Sequence, residues 1–178
     1  MEKLALRYGF RFTFALGVAP APMTVLATDA QVERGRYLVE IIGCTDCHTP
    51  GSLIGHPDTS KYLGGSDVGF AIPGHGVFVG PNLTSDEQTG LGNWTAEQIV
   101  TAITTGKRPD GRVLAPVMPS QDFAHLTRSD ALAIATYLKT LSPISNKVAG
   151  PFGPGEMPTT LVMSVQPGDV YARLPHPK

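Results

Sequence analysis

An all-α domain, with about three main helices joined by long ordered loops, is the fold class this sequence predicts, and three observations predict it. Three segments carry apolar residues at helical spacing behind capping residues. The stretch between His48 and Trp94 shows no sustained period of either kind. Twenty glycines and sixteen prolines in 178 residues, with only 7% aromatics, favour loops around a few helices over a strand-rich sandwich. The length suits one domain, and 42% hydrophobic with 16% charged residues excludes a disordered tail and a fully membrane-embedded chain. Lys+Arg at 14 against Asp+Glu at 15 gives a formal charge of −1 with no basic stripe, which sets nucleic acid aside as a partner.

The first segment, residues 1–27, has the pattern of a secretory signal peptide. Lys3, Arg7 and Arg11 form a basic start, and no charge appears from Phe12 to Ala27. The run falls short of the ~20 apolar residues of a spanning helix, and Pro20 and Pro22 interrupt it. Cleavage near Thr28 or Gln31 is therefore expected, leaving a periplasmic protein without a membrane span; an uncleaved leader would act as an anchor instead. Removing residues 1–27 takes away Lys3, Arg7 and Arg11 against Glu2 alone, so the formal charge of −1 becomes −3.

The first helix starts from a cap at Thr28 or Asp29 and runs toward Ile42, with Val32, Gly35, Val39 and Ile42 on one face and Gly43 as its stop. The only two cysteines follow at once, in Cys44-Thr45-Asp46-Cys47-His48. C-x-x-C-H is the attachment pattern of c-type haem. One helical turn puts thiols three residues apart on one face, and the adjacent imidazole then reaches the iron. A zinc site would need further ligands, and there is no second cysteine pair. A redox dithiol would need a βαβ frame that the surroundings lack, and a disulfide across three residues would close almost nothing. One covalently bound haem c, held by Cys44, Cys47 and His48, is the reading that remains.

From His48 to Trp94 the chain reads as loop, punctuated by Gly64-Gly65, Pro73-Gly74, Gly80-Pro81 and Gly90-Leu91-Gly92. Wrapping a large flat apolar cofactor gives such a loop something to bury against. The second helix opens on the capping box Thr95-Ala96-Glu97-Gln98, buries Ala96, Ile99, Val100 and Ile103, and stops at Gly106. The third is capped by Thr127 or Ser129, buries Ala131, Ile134, Ala135, Leu138 and Leu141, and ends before Pro143. An electron-carrying haem iron takes a second axial ligand, a Met or His downstream of the motif. Met118, stiffened by Pro116 and Pro119, suits a weakly binding thioether, while Met157, Met163, His56, His75, His125 and His176 are the alternatives. Met163 lies in the apolar run Leu161-Val162-Met163, which reads as packing.

Residues 31–142 resemble a class I cytochrome c domain. Pro81-Asn82-Leu83-Thr84-Ser85-Asp86 together with Thr89-Gly90-Leu91-Gly92-Asn93-Trp94-Thr95 is similar to the mono-haem domains associated with bacterial periplasmic dehydrogenases. The resemblance implies the cytochrome c fold, wrapped around one covalent haem, with the first and last helices crossing at Gly35 against Tyr137 and with Tyr37 nearby. It also implies His48 as the proximal iron ligand and Met118 as the distal one. Trp94 resembles the indole that reaches a haem propionate, and it equally suits a core position flanking the second helix.

These readings divide the chain into a leader at 1–27, a haem domain at 28–143 and a Pro/Gly-rich extension at 144–178. The extension is either a strap packed over the domain or an arm for docking a larger redox subunit. His48 and Met118 fill both axial positions, and no Ser-His-Asp cluster or paired carboxylates stand elsewhere, so no catalytic residues are expected. The expected function is electron transfer from a dehydrogenase donor to an oxidase or another cytochrome. A tightly bound subunit of a dehydrogenase complex and a peroxidase-like haem enzyme are the alternatives.

Overall fold

A computed structural model of the chain describes residues 28–175; the expected leader and His176 lie outside the described residues. Three helices carry the core, and each begins where its cap dictates. Thr28 accepts the Gln31 amide (3.2 Å) to start α1, Asp29–Ile41. Gly43, at φ +75°, then turns the chain directly into the short α2, Cys44–His48. Helix α3, Ala96–Thr105, has the full reciprocal box: the Gln98 amide donates to Thr95 Oγ1 (3.1 Å), and the Thr95 amide donates to Gln98 Oε1 (2.8 Å). A short α4, Ser120–Phe123, precedes α5, Arg128–Thr140, which Thr127 caps by accepting the Asp130 amide (3.1 Å).

Helices α1 and α5 cross at Gly35. A Cβ there would overlap the Ala133 carbonyl oxygen and lie 2.7 Å from Tyr137 Cβ, so only glycine lets the two backbones meet this closely. Around the crossing Leu38, Val39, Ala131, Ile134, Ala135, Tyr137 and Leu138 are buried, joined by Ile99 and Val100 of α3. Leu63 and Leu91 enter this core from the long loop. Val32 and Ile42, expected on the inner face of the first helix, are only partly buried, and Leu38 takes that place.

The segment read as pure loop between His48 and Trp94 contains a hairpin. Strand β1, Val68–Ile72, pairs antiparallel with β2, Gly76–Val79, in the register Gly69↔Val79 to Ile72↔Gly76. The extension supplies β3, Leu161–Met163, parallel to β1, giving the order β2-β1-β3. The domain is therefore mainly helical with a small sheet. Leu161, Val162 and Met163 pair through the backbone but leave their side chains 55%, 44% and 44% exposed, so the run is an edge strand and not the packed core that its apolar character suggested. A four-residue helix, α6, Gly168–Tyr171, follows it. The intervening chain is tied down: Phe152 and Val77 exchange two backbone hydrogen bonds (2.9 Å each), and Ser85 Oγ donates to the Leu141 carbonyl (2.5 Å).

Candidate haem site

Helix α2 brings three of the expected site residues together. Cys44, Cys47 and His48 stand at i, i+3 and i+4 of one five-residue helix, the spacing that shares a helical face. Both cysteines are unpaired and partly buried. Burial pushes the Cys44 thiol up to about 11, with the neighbouring Cys47 adding to the effect, and burial raises Cys47 as well. Thiols in this state are protonated at neutral pH, unlike the activated thiolates of redox dithiols.

His48 is 7% exposed, and its Nδ1 lies 2.7 Å from the carbonyl oxygen of Pro81. A carbonyl can only accept, so Nδ1 carries the proton and Nε2 keeps its lone pair. Burial holds the His48 pKa below its ordinary value, opposed by the bond to Pro81, and the ring is therefore neutral at neutral pH. A backbone acceptor on the distant ring nitrogen fixes the tautomer and raises the basicity of the other. Two free thiols and one neutral imidazole with an oriented lone pair fit the donor set of a covalent haem.

The approach of Pro81 depends on its neighbour. A Cβ on Gly80 would overlap the Cys47 carbonyl oxygen and sit 3.3 Å from His48 Nδ1, so Gly80 lets the loop close on α2. The Gly80 carbonyl accepts the Ser66 amide (2.9 Å), and the Gly65 amide donates to the His48 carbonyl (2.8 Å). Sequence reasoning read Gly80-Pro81 as loop punctuation and Pro81 as the start of the run that carries the family resemblance, and assigned neither a contact with His48. The signal was the Gly-Pro pair itself, but a backbone acceptor has no side-chain signature.

Met118 lies on a separate segment, before α4. It is half-buried, its amide donates to the Ala115 carbonyl (2.9 Å), and its own carbonyl accepts the Ser120 amide (2.8 Å). Met157 is 85% exposed, and His56, His75 and His125 are exposed, with the His75 Nδ1 lying 3.0 Å from the carbonyl oxygen of Pro73. Trp94 packs partly buried against the helical core, with the Arg108 guanidinium 5.2 Å from its ring centroid. That contact places a cation beside the indole.

A family model described as Cytochrome c matches residues 32–142. The cytochrome subunit of fructose dehydrogenase from Gluconobacter japonicus is 34% identical over 111 residues, covering 61% of this chain and 21% of that protein. The cytochrome c subunit of the quinone alcohol dehydrogenase from Gluconobacter oxydans (strain 621H) is 30% identical over 145 residues, covering 79% and 28%. The cytochrome c subunit of gluconate 2-dehydrogenase from Pantoea cypripedii is 31% identical over 111 residues, covering 62% and 23%. The chain thus spans only about a fifth to just over a quarter of the length of these relatives.

Proposed function

The chain belongs to the cytochrome c family, with the covalent haem c and electron transfer that membership entails, and we propose that it is a periplasmic mono-haem carrier. Cys44 and Cys47 provide the thioether attachments, His48 Nε2 is the proximal ligand and Met118 sulfur the distal one. The bound haem supplies a one-electron couple between ferric and ferrous iron. Pro81 holds the Nδ1 proton of His48, and so keeps the imidazole in one tautomer and one orientation. Pro116 and Pro119 stiffen the approach to Met118, which compensates for the weak affinity of a thioether. Trp94 is assigned to a propionate through its indole N–H, with Arg108 beside it. The observation that carries this reading is the buried His48 with its Nδ1 on a backbone carbonyl, in the same helical turn as two free thiols.

Intact mass of the protein purified from a periplasmic preparation tests it. The expected species begins near Thr28 or Gln31 and carries one haem that acid-acetone does not extract. A chain retaining Met1, or a haem that washes out, overturns the processing or the attachment respectively.

The donor is proposed to be a dehydrogenase and the acceptor an oxidase or another cytochrome. A second reading, a permanently docked subunit of a dehydrogenase complex, draws on the names of the relatives and on the exposed apolar side chains of the extension, Val165 at 94% and Met157 at 85%. Ionic strength separates the two. With the expected charge of −3 on the cleaved chain, a diffusing carrier meets a basic patch, and its second-order rate falls as salt rises. A rate flat from low to high salt favours the docked subunit.

A further inference from the structure

The chain that leaves α5 is woven into the residues next to Pro81. Asn82 and Thr84, 1% and 0% exposed, are the most deeply buried polar side chains among the described residues. Asn82 spends its whole hydrogen-bonding capacity there. Its Nδ2 donates to Thr89 Oγ1 (2.9 Å) and to the Ile144 carbonyl (2.7 Å), and its Oδ1 accepts from the Thr84 amide (2.9 Å) and hydroxyl (2.8 Å). Thr89 is the second junction: its hydroxyl accepts from Asn82 and from the Asn146 amide (3.1 Å), and donates to Asp86 Oδ1 (2.7 Å). Asn146 Nδ2 in turn donates to the Gly64 carbonyl (2.7 Å), one residue from the Gly65 amide that binds the His48 carbonyl.

This network bears on the iron ligand through one peptide plane. The proline ring fixes φ of Pro81, so the direction of its carbonyl rests on ψ alone. The carbonyl shares its plane with the amide of Asn82, so immobilising Asn82 aims the Pro81 oxygen. Buried and fully paired, the Asn82 side chain is held in one orientation, with the half-buried Thr89 and Asn146 tying it to the chain after α5. We propose that Thr89, acting through Asn82, is a positioning residue for the His48–Pro81 hydrogen bond, so that the strap after α5 sets the electron donation of the proximal imidazole. The inference rests on His48 being the iron ligand.

Thr89→Val keeps the branched shape and removes the hydroxyl, whereas Thr89→Ser keeps the hydroxyl. Both are compared with wild type as holoproteins, by the exchange rate of the His48 Nδ1 proton in the reduced form and by the midpoint potential. Thr89→Val is expected to exchange that proton roughly five- to tenfold faster, the change that losing one net hydrogen bond allows. Its potential should rise, because a weaker bond at Nδ1 makes the imidazole less basic and favours ferrous iron. Thr89→Ser and the exposed strap variant Lys147→Ala should match wild type in both readouts. If Thr89→Val matches wild type, or if Thr89→Ser shifts as far as Thr89→Val, the proposal is overturned. Should Thr89→Val fail to fold, Thr89→Ala, which also lacks the hydroxyl that Asn82 and the Asn146 amide bind, is read in the same way, with exchange about fivefold faster expected and wild-type values overturning the proposal. Oxidised wild-type protein in which the His48 ring protons lack paramagnetic displacement would overturn the ligand assignment and the inference with it. Displaced protons with no response to the variants overturn the inference alone.

Discussion

Gly35→Ala is expected to destabilise the domain by about 2 kcal/mol or more, even though alanine is the better helix former. Helix propensity alone would stabilise α1 by about 1 kcal/mol. Against that, the new Cβ meets the carbonyl group of Ala133 and stands 2.7 Å from Tyr137 Cβ. The Ala133 obstacle is backbone in the middle of α5, which cannot swing aside as a side-chain tip can. The helices must separate, and the contacts of Leu38, Val39, Ile134 and Leu138 loosen together. Thermal melting of the holoprotein should show a midpoint lower by about 5 °C or more, given the ~2–4 °C per kcal/mol of a domain this size. A midpoint equal to or above wild type would mean that the crossing relaxes freely and that propensity decides.

The same crossing shows how much of this fold could be read from residues alone. Thr28, Thr95 with Gln98, and Thr127 marked all three main helices because a cap is local chemistry, decided within four residues. Gly35 against Tyr137 followed from a family resemblance. The hairpin was not legible, because Gly69 and Ala71 dilute its alternation and Pro73-Gly74 looks the same in a turn as in an open loop. Strand β3 pairs with β1 across some ninety residues of sequence, a register that no short window contains. At the site, the side-chain donors Cys44, Cys47 and His48 announced themselves by spacing. Pro81 did not, since it contributes only a carbonyl, and Asn82, Thr84 and Thr89 matter through partners at Ile144 and Asn146 that lie far along the chain.

Met118→Ala is expected to lower the midpoint potential by on the order of 0.1 V or more, within the ~0.8 V range that axial ligands command. Thioether sulfur favours ferrous iron, and its loss removes that preference. The fold should survive: Met118 is half-buried on a loop whose hydrogen bonds are all main-chain, from its amide to Ala115 and from the Ser120 amide to its carbonyl, so truncation costs about 1–2 kcal/mol. Cys44, Cys47 and His48 are on another element and keep their attachments. The sulfur-to-iron charge-transfer absorption of the oxidised protein should disappear, and the reduced protein should bind carbon monoxide, which an iron with both axial positions filled resists. Met157→Ala and Met163→Ala should leave band and potential in place, because Met157 is 85% exposed and Met163 sits on an edge strand at 44%. Both outcomes are read from one absorption spectrum and one redox titration per variant. If Met118→Ala kept the band and the potential while Met163→Ala abolished them, the distal ligand would come from the extension, and strand β3 would hold the iron rather than merely extend the sheet.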